Sequence, residues 1–476
     1  MSVAFWEGKK SRQIIERIIV EGDLELQTPA HLGSGDDDGA TMSLLVDPLE
    51  GHPLLTGASI AGALRSYLWN REAGYRQVQR SQGVAAQLFG GAKGDDDGDQ
   101  SHVIVCDALA QRVGIVYRDG VRLEQATRTA SDKALFNVQL WDAGTIFPLR
   151  FELVICEGDD PAVLTDALWV ALKALESGEI PIGARKRRGY GRVKVKNWRI
   201  RQFQMSNLAD LMAYLREGGN SLSEQYRREH LPTPVPLMED NRKYFTVEAR
   251  FTLDGSLLIR SADSFADMAH LTNTQGQPIL SGTSLTGAIR ARAYKILNTL
   301  QFREAEDLVI DIFGGEQADS RASGKNRKRL VGSRFSAEEH HIEGGVHNLV
   351  QNRVSIDRFT GGALDTALFN QRPLLGSQPG GLCIRFKLQN PAEAEIGLLL
   401  LVLKDLWTGD LPLGGEQSVG RGRLRGTEAQ LSMNVSGQLT RWTLVEHEHG
   451  LEVSDPKALE DFVQALSQKA KAQHGH

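Results

Sequence analysis

Cysteine is almost absent from the 476-residue chain: Cys106, Cys156 and Cys383 lie far apart, with no paired spacing that suits zinc or a disulfide framework. That scarcity points to a reduced compartment. Long apolar runs are missing too, the longest, residues 396–403, being too short to span a bilayer. The first residues alternate charge at Glu7, Lys9, Lys10 and Arg12 and hold no apolar core of signal-peptide length, so a cytoplasmic protein is expected. No G-x-x-x-x-G-K-S/T run occurs, which excludes a nucleotide-hydrolysing loop of that form. Nor is there an excess of positive charge. With 55 Lys+Arg against 60 Asp+Glu and a formal net charge of -5, any nucleic-acid role must rest on local patches.

What is present is ordinary globular text, 41% hydrophobic and 24% charged, long enough for two domains. The chain is written twice. Gly57-Ala58-Ser59-Ile60-Ala61-Gly62-Ala63-Leu64-Arg65 returns as Gly282-Thr283-Ser284-Leu285-Thr286-Gly287-Ala288-Ile289-Arg290. Leu88-Phe89-Gly90-Gly91 returns as Ile312-Phe313-Gly314-Gly315, and Leu135-Phe136-Asn137 as Leu368-Phe369-Asn370. Pro181-Ile182-Gly183 matches Pro412-Leu413-Gly414, and Gly189-Tyr190-Gly191-Arg192-Val193 matches Gly420-Arg421-Gly422-Arg423-Leu424. Matches in the same order along the chain imply two tandem homologous domains, at 1–205 and 243–432. A Pro-rich connector joins them at 206–242, and an extension follows at 433–476, where Asp455-Pro456 opens a helix.

Each domain reads as alternating β and α. Opening strands are expected at 17–26 and 246–253, amphipathic helices at 59–71 and 284–297, and strands at 147–156 and 382–388. Apolar helices follow at 162–176 and 392–407, with a last strand after each late glycine loop. That order fits an α+β, ferredoxin-like sandwich with insertions.

Both G-x-S motifs run from a glycine turn into a helix, with Ser59 and Ser284 as expected N-caps. Free N–H groups and the helix dipole there suit a phosphate, and Arg65 and Arg290, off the apolar stripe, are placed to reach it. A capped helix with small residues for close packing explains the same text. From Arg185 to Arg201 the chain carries Arg185, Lys186, Arg187, Arg188, Arg192, Lys194, Lys196, Arg199 and Arg201 without one acid, and Tyr190 and Trp198 supply aromatic faces. Such interleaving suits a single-stranded backbone with stacked bases. A second basic run, Arg321, Lys325, Arg327, Lys328, Arg329 and Arg334, sits in a Gly/Ser-rich insertion. Asp36, Asp37 and Asp38 lie between the first strand and its helix, where carboxylates near a phosphodiester can hold Mg²⁺ or take a proton from a 2′-hydroxyl. A solvated turn accounts for that run about as well, and is the accepted account for Asp95 to Asp99. His340, His341 and His347 form a loop cluster without a metal-binding pattern.

Together the motifs resemble the RAMP superfamily of CRISPR systems, specifically the Cas7 backbone subunits (Csm3-like and Cmr4-like) of type III effector complexes. The resemblance stands on His31-Leu32-Gly33-Ser34-Gly35, on Asp47-Pro48 through Pro53 to Arg65, on Leu88-Phe89-Gly90 and on both late glycine loops. Two such units in one chain look like the fused backbone proteins of type III-D variants. It implies two tandem modified RRM-like domains that hold crRNA and pair it with target RNA. The residues implied for RNA are His31, Gly57, Ser59, Arg65, Gly282, Ser284, Arg290, Arg185, Lys186, Arg187, Arg188, Tyr190, Arg192, Arg421 and Arg423. Implied partners are further Cas7- and Cas5-like subunits, Cas10 and a small-subunit-like protein. Target cleavage in the family uses a loop aspartate. In the first unit its slot falls near Thr41, leaving Asp36, Asp37 and Asp38. In the second unit it falls on Ala266, beside Asp267, with Asp263 nearby, and Ile259-Arg260-Ser261-Ala262-Asp263 replaces the histidine signature. The expected chemistry is Mg²⁺- (or Mn²⁺-) assisted attack of a 2′-hydroxyl on the adjacent phosphate, with Asp267 and Asp38 as metal ligands. A scaffold that binds crRNA without cutting, or a Cas6-like processing endoribonuclease, are the alternatives.

Overall fold

The computed structural model describes residues 13–37, 41–77, 83–91, 100–111, 114–124, 130–235, 238–261, 266–318, 328–346, 349–376 and 380–473. The chain is mixed α+β and divides into two compact units. The first comprises Met1–Tyr117, Phe136–Lys186 and Tyr190–Arg242; the second comprises Arg118–Leu135, Arg187–Gly189 and Lys243–His476.

In the first unit the central strand Ile14–Leu26 alternates its side chains across the sheet. Ile18, Val20 and Leu24 enter the main core, whereas Ile19 on the opposite face packs with Phe203 and Leu222. Its antiparallel neighbours are Val193–Gln204 on one side and Ile146–Cys156 on the other, with Val103–Val105 beyond the latter. Helices α1 (Gly57–Ala73), α2 (Val84–Phe89) and α3 (Pro161–Glu176) supply the rest of the main core through Ile60, Leu64, Leu68, Leu88, Leu168 and Leu172. The connector carries α4 (Leu208–Glu217), whose Tyr214 ring meets Phe203 edge-on at 5.5 Å. At the connector's end Arg242 covers the Tyr67 ring at 4.7 Å, and the Tyr67 hydroxyl donates to Glu179 at 3.1 Å.

The second unit repeats the plan. Lys243–Asp254 lies between Gly381–Gln389 and Arg423–Val435, all antiparallel, and Phe335–Ala337 pairs the former. Helices α5 (Gly282–Thr299), α6 (Ala305–Phe313) and α7 (Glu393–Trp407) share one core with these strands. The sheet then grows by Gln438–His447 and Gly450–Val453. Helix α8 (Pro456–Ala472), capped by Asp455, buries Leu459, Leu466 and Ala470 in that core. It is the extension read from the sequence.

Backbone bonds fix which residues correspond. Ala184 N donates to His31 O at 2.9 Å as Gly415 N does to Leu258 O at 2.7 Å. Leu45 N donates to Leu32 O as Leu271 N does to Ile259 O, at 2.7 and 2.9 Å. The histidine signature therefore aligns with Leu258-Ile259-Arg260, one residue earlier than the sequence suggested, because the chain holds register through hydrogen bonds and not through side-chain type.

Candidate nucleic-acid interface

Three segments of the first unit converge on one cavity of about 360 Å³. His31, Leu32 and Gly33 line it from the end of the first strand, Thr56, Ser59 and Gly62 from the start of α1, and Gly183, Ala184 and Lys186 from the late glycine loop. His31 is buried, with Nδ1 2.9 Å from Gln139 O, whereas Lys186 is exposed. The loop is held by Gly191, whose φ of 69° and close approach to Ile182 O leave no room for a side chain; Gly422 faces Leu413 O in the same way.

The helix starts differ from the sequence reading. The N-caps are Thr56 and Ser281, each accepting from the backbone N–H three residues on, while Ser59 and Ser284 bond to those caps at 2.9 Å. Ser at the capping position is replaced by the residue before glycine, because Gly57 and Gly282 already begin the helix. Those glycines answer to packing: a Cβ at Gly57 would lie 2.1 Å from Val105 O, and one at Gly282 2.7 Å from Ala337 O. Gly57 N–H donates to the Asp107 carboxylate at 2.6 Å, so the chain itself supplies an anion at the start of α1. Arg65 and Arg290 do not turn to that end. Each donates to a carbonyl just past the next helix, Gly91 O at 3.2 Å and Gly314 O at 2.9 Å. Arginine at the C-terminal end of a helix satisfies carbonyls that have no intrahelical partner.

Three members of the basic run pair with acids. Lys196 reaches Glu25 at 2.8 Å, Arg199 reaches Glu21 at 3.2 Å and Glu224 at 3.3 Å, and Arg201 bonds to Glu217. The acids come from the neighbouring strand and the connector, out of sight of a local reading. Trp198 is fully buried, donating to Glu176 at 2.9 Å, and Tyr190 is buried among Val138 and Leu140, so neither ring is open to a base. Of the loop itself, Arg185 lies over the Phe136 ring at 4.5 Å. In the second unit Arg187 bonds to Gln389 at 3.0 Å, and Arg188 is exposed. Arg334 of the second basic run is buried between Glu395 and Asp311, at 2.5 and 2.6 Å, and Arg329 is exposed; Arg321, Lys325 and Arg327 lie outside the described residues. Arg192 is half-buried with its N–H on Thr28 Oγ1, and Arg423 is exposed.

Among the carboxylates, Asp36 and Asp37 close the strand Gly33–Asp37, while Asp38 and Asp263 lie outside the described residues. Asp267 is exposed at the start of Met268–His270, which runs parallel to Ala363–Arg372 with Met268 opposite Gln371. In the first unit Met42 stands opposite Val138 and Thr41 opposite Asn137. Asp267 is thus to Asn370 as Thr41 is to Asn137. Two bonds close this pair: Asp267 N donates to Asn370 Oδ1 at 2.7 Å, and Asn370 N donates to Asp267 Oδ2 at 2.8 Å. Asn370 was visible in the sequence only as the last letter of a repeated Leu-Phe-Asn.

Arg421 departs from its expected RNA contact. It is buried, donating to Gln351 at 2.8 Å and Gln371 at 3.0 Å beside Glu416 at 3.5 Å. Burial lowers its pKa from the usual guanidinium range, Glu416 opposes that, and Arg353 adds to it. Among the described residues no group of three His, Cys, Asp or Glu side chains is placed to hold a metal ion, the His340–His341 pair included.

The RAMP superfamily model matches residues 23–194 and again 250–425. The chain belongs to the RAMP superfamily. No curated protein sequence matches it. Its two matched segments are the two repeats, a tandem RAMP fusion, and this membership points to a CRISPR-associated RNA-binding subunit. No helix among the described residues is long and apolar enough to cross a membrane.

Proposed function

We propose that this RAMP chain is a Cas7-type, crRNA-binding backbone subunit of a type III effector complex, and that its second unit cuts target RNA paired to the guide. The observation that carries the cleavage reading is Asp267: one exposed carboxylate, fixed in orientation, where the first unit has Thr41. The strand order and helix placement in each unit favour a modified ferredoxin-like domain, and Lys186 and His31 at the cavity of the first unit favour a guide-binding groove there.

In the cleavage step a splayed nucleotide's 2′-oxygen attacks the adjacent phosphorus while the bond to the 5′-oxygen breaks, giving a 2′,3′-cyclic phosphate and a 5′-hydroxyl. Asp267 Oδ2 is engaged by Asn370 N, so Oδ1 is the oxygen left to accept the 2′-hydroxyl proton or to bind metal. A lone carboxylate suits Mg²⁺ or Mn²⁺ shared with RNA phosphate, since Mg²⁺ keeps several waters and needs only one or two protein carboxylates. Such an ion supplies neutralisation of the charge developing on the phosphate. The first unit has Thr41 in the corresponding place, so a cut of its own would fall to Asp36, Asp37 or Asp38.

The test is full-length chain loaded with guide RNA and mixed with labelled complementary target RNA and Mg²⁺. Asp267→Asn removes one band from the cleavage ladder and leaves target binding intact. A ladder unchanged by that variant, with guide loading normal, refutes the assignment.

A further inference from the structure

An exposed aspartate ordinarily samples several rotamers, and a reacting group misplaced by 1 Å costs about 10²-fold in rate. Asp267 is held at both ends instead, its backbone by the Asn370 side chain and its carboxylate by the Asn370 backbone, at 2.7 and 2.8 Å. The residue after Asn370 is locked in turn. Gln371 is fully buried, its Oε1 accepting from Arg421 at 3.0 Å and Arg353 at 3.4 Å, and its amide nitrogen donating to Glu416. Glu416 also pairs with Arg353 at 2.8 Å.

The first unit carries different groups at three of the matching places. Val138 stands for Gln371, Tyr190 for Arg421, and Arg185 for Glu416, and the cluster there is apolar. Asn137 is retained, with Thr41 opposite it where Asn370 has Asp267. The polar support therefore coincides with the carboxylate. We infer that Asn370 is a positioning residue for Asp267, presenting one carboxylate oxygen to the RNA, with the Gln371–Glu416–Arg353–Arg421 network as the rigid backing of its strand. This rests on the cleavage reading proposed above.

The experiment measures single-turnover cleavage and target affinity separately, in full-length chain loaded with guide RNA. Asn370→Ala is expected to slow the Asp267-dependent cut about 10–100-fold while target affinity stays within about twofold. Asn370→Asp keeps an acceptor oxygen for Asp267 N–H and is expected to recover most of the rate, a rescue that a loss of general stability would not show. Asn137→Ala is expected to leave that cut unchanged. If Asn370→Ala cuts at the parental rate while Asp267→Asn does not cut, the positioning role is wrong and the cleavage reading stands. If Asp267→Asn still cuts, the cleavage reading falls and this inference with it. An Asn370→Asp variant as slow as Asn370→Ala also overturns it. Should Asn370→Ala fail to load guide, Asn370→Ser decides: a slowed cut with normal target binding supports the role, and a parental rate refutes it.

Discussion

Lys186 and Arg188 are the members of the 185–188 loop whose side chains stand exposed, and their contribution to RNA binding can be separated from that of the basic strand beside them. Each lysine or arginine that neutralises a phosphate of single-stranded RNA steepens the dependence of log affinity on log salt by about 0.7. Replacing both by alanine should flatten the slope by about 1.4. Between roughly 50 and 200 mM salt, the double variant should then lose about sevenfold less affinity than the parent. Lys196 and Arg199 are as basic in sequence, but Glu25 at 2.8 Å and Glu21 at 3.2 Å already neutralise them. Their joint replacement by alanine should shift the slope by less than about 0.3, since few counterions are released from charges already paired. A salt titration of guide-RNA binding by filter retention measures all three chains. Equal flattening by the two double variants, or no flattening by Lys186→Ala with Arg188→Ala, refutes the expected difference between the loop and the strand.

Gly57→Val and Gly282→Val bring a Cβ to within 2.1 Å of Val105 O and 2.7 Å of Ala337 O. Each should lower stability by several kcal/mol, about the cost of overpacking plus backbone displacement, seen as a reduced urea midpoint; an unchanged midpoint rules out that packing role. Burial holds the Glu339 carboxyl above its ordinary range against the opposing pull of Arg118, 3.6 Å away. An acid whose folded pKa is raised stabilises the fold most below its unfolded pKa, and that contribution fades as pH rises through the folded value. Glu339→Gln should therefore lessen the fall in stability of the second unit from acid to neutral pH. Melting curves across that window check it, and parallel curves for parent and variant count against it.

Much of the fold was legible because it was written twice. Both G-x-S helices, both opening strands and the tail helix appear where periodicity put them, with ends moved by two or three residues. What escaped the sequence was pairing across the sheet. The acid-free stretch around Arg199 met its acids on Ile14–Leu26 and in the connector, and Trp198 joined Val193 and Val195 in the core because the strand breaks register at Asn197, with a φ of 56°, and shifts its alternation by one residue. Arg65 and Arg290 looked like anion ligands because they lie off the apolar stripe, yet that position also reaches the carbonyls ending the next helix. Asp267 could be reached by counting along the chain; Asn370, over a hundred residues later, became its partner only through a parallel strand pair.

Arg185 and Glu416 occupy the same place in the two repeats and are both left-handed, with φ of 53° and 57°. Neither is glycine, and such a conformation costs an ordinary residue roughly 1–2 kcal/mol. The duplication has thus kept a costly backbone shape while reversing the charge displayed on it. A cation lies over an aromatic ring in one copy, and an anion joins two guanidiniums in the other. The loop behaves as a mount whose fitting can be exchanged, so that tandem copies of one scaffold can come to do different work without either being refolded.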